Sequence, residues 1–250
     1  MHELLGSAKC VLFDFDGPVC DLFAQRPASA IATRIDAAHR SRAPLPVTGD
    51  PQEILAAAHR DPGLLADGTA HAIERALTRE EVAAARGASA TEHADRLIRE
   101  LARRGLALAV TTNNSPESVE CYLSRERLSR YFEGHVHGRL PGGPLRLKPD
   151  PDCVLRALRS TGASAGSTVL IGDDPRDLRA AMAAGVAFVG YAGDAGDKQS
   201  PARRARKRRQ LREAGALFVV DSLGEVLAAV APYEAVPSPA RLRTATGPRT

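Results

Sequence analysis

The stretch Val11-Leu12-Phe13-Asp14-Phe15-Asp16-Gly17-Pro18 decides how the rest of the chain is read. Cys10 to Phe13 forms a short continuous apolar run of the kind a buried strand carries. The Gly-Pro pair then breaks it. Side chains alternate faces along an extended chain, so Asp14 and Asp16 project to the same side if the strand geometry persists through Phe15. Two carboxylates at the C-terminal end of a strand make a hard-oxygen site suited to Mg2+. That end of the strand is also where open α/β sheets bind their ligands.

Three further constellations follow downstream, each at a strand end or helix start. Leu106 to Val110 is a second apolar run, and it ends in Thr111-Thr112-Asn113-Asn114. A hydroxyl and exposed amides there suit phosphate oxygens, with Thr112 the first choice and Thr111 the alternative. Lys148-Pro149-Asp150-Pro151 opens a helix expected to run through Arg159. Its lysine can set a point charge beside the carboxylates. Thr168 to Ile171 is a third strand, ending in Gly172-Asp173-Asp174-Pro175-Arg176-Asp177. Such an acidic cluster repels itself unless a cation is present. Asp174 is also placed to cap the helix that begins near Pro175.

In this order the four segments resemble the motifs of the haloacid dehalogenase-like (HAD) superfamily, phosphoglycolate-phosphatase-like branch. The resemblance runs over about residues 9–230 and is nearly absent between the first two motifs. It implies that Asp14 is a nucleophile forming an aspartyl-phosphate. Asp16 is then the general acid and base. Thr112, Asn113 and Lys148 bind the phosphate, Thr112 and Lys148 also serving catalysis. Mg2+ is held by Asp14, Asp173 and the main-chain carbonyl of Asp16, and Asp177 or Asp174 completes the shell directly or through water. The substrate implied is a small phosphorylated metabolite. Dehalogenases of similar layout lack the second aspartate, so Asp16 favours a phosphatase or a sugar phosphomutase. One departure is Pro18-Val19, where the family has Thr-Leu or Thr-Val. Proline removes an N–H and stiffens the path into the insert.

The expected fold is α/β: a doubly wound, mainly parallel sheet with a small helical cap inserted after the first strand. Further strands are expected at Val186–Gly190 and Leu217–Val220, with a weak candidate inside Leu128–His137. The catalytic core is read as residues 1–18 and 89–231 and the cap as 19–88. A polar lead-in of nine residues and a disordered tail at 232–250 flank them. Within the cap, Asp21 to His39 is helix-like and interrupted by Pro27. Asp50-Pro51 caps a helix that Asp61-Pro62-Gly63 closes, and a longer helix spans Thr69–Arg86 before a hinge-like break at Gly87-Ala88-Ser89. Arg26, Arg34 and His39 are candidates to meet an anionic tail of the substrate, and Phe23 is read as packing.

Composition excludes other classes. The chain has 250 residues, 44% of them hydrophobic, enough for a sizeable core and a smaller unit. No apolar run reaches the length of a membrane span, and no leader peptide is expected. The cysteines Cys10, Cys20, Cys121 and Cys153 are widely spaced, which is neither a zinc nor a disulfide pattern and fits a reducing cytoplasmic setting. Cys20 reads more readily as packing than as a reactive thiol. Net charge is +4, much of the positive charge lying between Arg203 and Arg212. That run raises an interaction protein binding nucleic acid or an acidic partner as a competing reading. It has no interleaved aromatics, so an exposed helix is the better expectation and nucleic acid is not an expected partner. His135 and His137 read as structural or surface residues.

Overall fold

The computed structural model describes residues 1–41, 45–193 and 200–230. The proposed tail and most of the polar loop at 193–201 lie outside the described residues. At the centre is β1 (Cys10–Phe13), buried along its whole length. Before it stands α1 (His2–Ser7), where a polar lead-in was expected. Leu5 of this helix is buried, and the helix is too short to show a period in the sequence.

Four further strands lie where the sequence places them: β4 (Ala107–Thr111), β6 (Thr168–Gly172), β7 (Ala187–Tyr191) and β8 (Phe218–Val220). A two-residue strand β5 (Val136–His137) fills the weak position. The sheet order is β5-β4-β1-β6-β7-β8, parallel throughout. Register sets the site. Phe13 pairs with Val110 on one side and Ile171 on the other. Asp14, just past the end of β1, therefore stands level with Thr111 and Gly172, the last residues of β4 and β6.

Helices cover both faces, as a parallel sheet requires. Alternation along β1 sends Val11 and Phe13 to one face, into a core with α6 (Ala94–Arg103), α7 (Pro116–Arg125) and α11 (Leu223–Val230). Cys10 and Leu12 face the other, with α8 (Asp152–Thr161), α9 (Pro175–Ala183) and α10 (Pro201–Glu213). Fully burying a side chain of leucine size contributes roughly 1.5–3 kcal/mol, so these two clusters dominate the stability of the sheet. Helix α8 starts four residues later than Lys148, at Asp152, whose N–H is held by the Asp150 carboxylate at 2.9 Å.

The insert contains α2 (Ala28–His39), α3 (Pro51–Arg60), α4 (Pro62–Ala66) and α5 (Thr69–Ala85). They share their own hydrophobic cluster, including Ile31, Ile54, Leu55, Ile73 and Leu77. Three details correct the sequence reading. Pro27 precedes the first cap helix and does not interrupt it. Asp61-Pro62 closes α3 as expected but also opens α4, with Asp61 accepting from the Gly63 and Leu64 N–H groups at 2.8 and 3.2 Å. It carries the same cap-then-proline signal as Asp50-Pro51. The break at 87–89 belongs to a small antiparallel ribbon, β2 (Cys20–Asp21) with β3 (Ser89–Ala90), where the chain enters and leaves the insert. Phe23 packs between the insert and the core clusters. Among the described residues no helix is long and apolar enough to cross a membrane.

Candidate active site

The strand ends of β1, β4 and β6 surround a polar hollow of about 180 Å³. Asp14, Asp16, Thr112, Asn113, Lys148, Asp173 and Asp177 all line it, as does Asp174. Thr111 does not. It is fully buried one position earlier, on the other side of the strand's alternation.

Lys148 is the hub. Its ammonium donates to Asp14 Oδ1 at 2.8 Å and to Asp177 Oδ1 at 2.7 Å, with its side chain 1% exposed. Burial works against its charge, but Asp14 and Asp177 more than offset this and hold its pKa above the ordinary value. Asp14 is pushed well above the usual carboxylate range by burial and by Asp177, while Lys148 opposes the shift. Asp16 rises to about 7, from burial first and then the nearby Asp173 charge; the Leu22 N–H, 2.9 Å from its Oδ1, pulls the other way. A carboxyl poised near neutrality is suited to giving and taking protons.

Asp14, Asp173 and Asp177 offer oxygens within 4.8 Å of one another. Burial and Asp177 raise Asp173, against the pull of Lys207. Close carboxylates of this kind, two buried and Asp173 half-buried, fit a hard divalent cation. Gly17 lets them converge: at φ +109° it lies so close to Asp173 that an added Cβ would stand 2.3 Å from Oδ2. Asp177 is the most committed of the three. Its Oδ1 takes the Lys148 bond and its Oδ2 accepts the N–H groups of Asp173 and Asp174, both at 3.1 Å. Together with Asp174 it forms the capping box of α9.

Asn113 positions this lysine. Its Oδ1 accepts the Lys148 N–H at 2.7 Å, and its amide donates to Gln52 Oε1 of α3 at 3.3 Å. The Thr112 hydroxyl donates to Asn114 Oδ1 at 2.9 Å. The turn at Pro18 is intact. Gly17 N–H reaches Cys20 O at 2.7 Å, and the N–H groups of Val19 and Cys20 both reach Phe15 O at 3.2 Å, so the proline leaves its neighbours' donors satisfied. Cys20 is wholly buried and its thiol is pushed up by burial, a packing residue.

Sequence reasoning missed four groups at the site. Lys207, within the basic run, donates to Asp173 Oδ2 at 2.5 Å and lies over the Tyr191 ring. The run is therefore not only a solvated face: Leu211 is buried against the sheet and Arg208 pairs with Asp221. A lysine among arginines was the available signal. Arg176, hidden inside the acidic motif, reaches Asp50 of α3 at 3.3 Å. Glu81 of α5 and Arg139 form a buried pair at 2.8 Å, and Glu81 also accepts from Asn114 Nδ2 and Ser115 N–H at 3.1 and 2.9 Å. No local pattern announces a pair 58 residues apart.

Beyond the hollow opens a chamber of about 780 Å³. Gln52, Asn113, Lys148 and Arg176 border both spaces. His59, Arg60 and His71 line its far wall. Arg26, Arg34 and His39 border neither space. Arg26 and Arg34 instead clasp Glu80 at 3.1 and 2.8 Å, within the insert.

A doubly wound sheet with paired aspartates just past its central strand, a threonine just past the next, a lysine and an acidic loop has the organisation of HAD-like hydrolases. The family profile described as haloacid dehalogenase-like hydrolase matches residues 8–185, and a HAD-hydrolase-like profile matches residues 146–226. The chain belongs to the haloacid dehalogenase-like hydrolase family. Two curated relatives illustrate its similarities within that family. A phosphoglycolate phosphatase of Pseudomonas fluorescens is 33% identical over 84 residues, 33% of this chain and 29% of that protein. The plasmid form of protein CbbY from Cupriavidus necator is 34% identical over 89 residues, 35% of each chain. The matched segments are thus about a third of these relatives' own length. The fold extends further. CbbY from Rhodobacter sphaeroides, solved with phosphate, superposes with a TM-score of 0.63 at 23% identity, covering 89% of this chain and 99% of that one. A hydrolase from Pseudomonas syringae gives 0.65 at 19% identity, covering 89% and 99%.

Proposed function

We propose that the protein is a Mg2+-dependent phosphatase that hydrolyses a small phosphate monoester through an aspartyl-phosphate on Asp14. The observation that carries this reading is the pairing of two unlike carboxyls on one strand end. Asp14 is bonded to the buried Lys148 at 2.8 Å, whereas Asp16 is bonded to no lysine or arginine among the described residues and is raised to about 7. Lys148 opposes the upward push that burial and Asp177 exert on Asp14, and with the cation's charge it would favour the ionised carboxylate that attacks phosphorus. Asp16, protonated near neutrality, gives its proton to the leaving oxygen and then takes one from the water that cleaves the acyl phosphate. Thr112 and the amides that follow it bind phosphate oxygens, and Lys148 offsets their developing charge. Asp14, Asp173 and the Asp16 carbonyl would hold the cation, which supplies charge neutralisation at the phosphoryl group. Asp177, with both oxygens spent on protein donors, holds Lys148 in place and would support that shell through water.

The chamber supports a substrate with a second polar or anionic end. At about 780 Å³ it has room for a phosphorylated sugar, and Arg60 and Arg176 line it. One of the similar structures is a CbbY variant in complex with xylulose-(1,5)bisphosphate. The relatives named phosphoglycolate phosphatase suggest a shorter, carboxylate-ended alternative. Residues 19–88 act in this reading as a cap over a core of residues 1–18 and 89–231. The cysteines among the described residues are all free, which supports a reducing, cytoplasmic setting.

The test is phosphate release from sugar bisphosphates, 2-phosphoglycolate and simple monoesters, with Mg2+ and with EDTA. Release that requires Mg2+ and disappears in Asp14→Asn supports the reading. Release that persists in folded Asp14→Asn, or no release from any compound by folded, metal-loaded protein, contradicts it.

A further inference from the structure

A second cluster of metal-binding side chains lies away from the catalytic carboxylates, inside the helical insert. His59 is near the end of α3; His71 and Glu74 are three residues apart on α5. That spacing puts His71 and Glu74 on one face of their helix. His71 Nδ1 stands 3.7 Å from Glu74 Oε2, and His59 Nε2 stands 4.0 Å from the same oxygen. All three ligand atoms fall within 4.8 Å of one another.

None of these contacts is a hydrogen bond, since each exceeds the range in which N–H and oxygen interact well. His59 Nε2 and His71 Nδ1 are both buried atoms without a hydrogen-bond partner among the described residues. The His59 side chain is only 6% exposed, and Glu74 is 5% exposed. Leaving a buried polar atom unpaired costs its full desolvation penalty. Two such atoms aimed at one carboxylate oxygen call for something between them.

Charge points the same way. The buried Arg139 guanidinium pairs at 2.8 Å with Glu81 and stands 3.8 Å from the other oxygen, Oε1, of Glu74. One cation thus faces two carboxylates, and Glu74 Oε2 is left with a long contact of 3.4 Å to the Gly142 N–H.

We propose that His59 Nε2, His71 Nδ1 and Glu74 Oε2 bind a divalent transition-metal ion, with zinc the best fit. Imidazole donors select such ions over Mg2+. Two histidines and one glutamate are a set found in three-ligand zinc sites that keep a fourth position open. In a tetrahedral site, ligand atoms about 2.0–2.1 Å from the metal stand closer together than these do, so binding draws the three inward by a few tenths of an ångström. His59 and His71 both line the chamber, so the open position is available to a water or to an oxygen of whatever fills it.

The test does not depend on turnover. Untagged full-length protein is dialysed against Zn2+ in excess Mg2+, and bound zinc is counted by mass spectrometry. The expected result is one zinc per chain in both wild type and Asp173→Asn, with affinity falling by about tenfold or more in His71→Ala and in Glu74→Gln. His71 is partly exposed, so its variants separate loss of a ligand from loss of the fold; His71→Gln, checked by circular dichroism, is the second variant. Replacing zinc by Co2+ should give visible absorption bands that these variants lose. No zinc uptake by wild type, uptake unchanged in His71→Ala and Glu74→Gln, or uptake lost in Asp173→Asn would each overturn the proposal.

Discussion

Asp14 and Asp16 are the same residue type two positions apart, and their environments separate their roles. Lys148 stabilises the charge on Asp14, whereas Asp16 has a backbone N–H from Leu22 and the repulsion of Asp173. Asp16→Asn is therefore expected to lower turnover of alkyl phosphates by about 10²–10⁴-fold. The loss should be smaller for the first step with p-nitrophenyl phosphate, whose phenolate leaves unprotonated; comparing the two substrates checks it. A second residue predicts a pH effect on stability. Burial, then Arg156 and His135, lower His137 from 6.5 to about 4, and its Nε2 lies 2.7 Å from Ser160 Oγ. The folded state thus binds this proton less readily than the unfolded chain. The contribution is full above about pH 6.5 and is lost as pH falls towards 4; the ring is partly exposed, so solvent screening holds it to about 1 kcal/mol. Urea unfolding across that range should show the slope in wild type and a flatter one in His137→Gln. The positions of the candidate site residues were legible because most follow an apolar run, and Lys148 stands in a Lys-Pro-Asp-Pro segment just ahead of a helix. Their partners were not: Lys207 and Asp173 are 34 residues apart, and only the fold brings them together.

At the level of elements, α5 of the insert is tied into the core. Glu81 is fully buried, pairs with Arg139, and holds Asn114 and Ser115 just beyond Thr112. Removing one member strands a buried charge, so Glu81→Gln should cost about 3–5 kcal/mol in urea unfolding. An Arg139→Met, Glu81→Leu double variant should recover much of that loss, because the pair as a whole is offset by its own desolvation. Strands and long helices were legible from apolar runs and caps. What escaped were short pieces: α1 and α4 have 6 and 5 residues, too few for a helical period. The Asp61-Pro62 signal was present but, lying directly after another helix, read as a stop. The two-residue ribbon of β2 and β3 exists only because its strands, at 20–21 and 89–90, meet in space.

At the level of the whole molecule, core and insert enclose the chamber between them, and Arg176 bridges them through Asp50. Burial disfavours its charge, but Asp174 and Asp50 more than compensate and hold its pKa above the ordinary value. Arg176→Met should therefore raise KM for a sugar bisphosphate well above its effect on a monophosphate with a neutral tail. Its effect on stability should be small, under about 1 kcal/mol, since the ion pair is partly exposed. Steady-state kinetics with the two substrates and one unfolding curve check both halves. A fold of this class was readable from the order of four motifs, whereas the chamber wall was not, because it is assembled from helix faces of the insert and a loop of the core.

The most direct test of the central claim is a rapid-quench experiment on Asp16→Asn with p-nitrophenyl phosphate and Mg2+. If Asp14 is the nucleophile and Asp16 activates the second-step water, phenolate should appear in a burst of about one equivalent per active site. Acid-quenched protein should then carry a phosphoryl group, labile to hydroxylamine, on the peptide containing Asp14. Slow linear release without a burst or an adduct, or an equal burst from Asp14→Asn, would contradict the account.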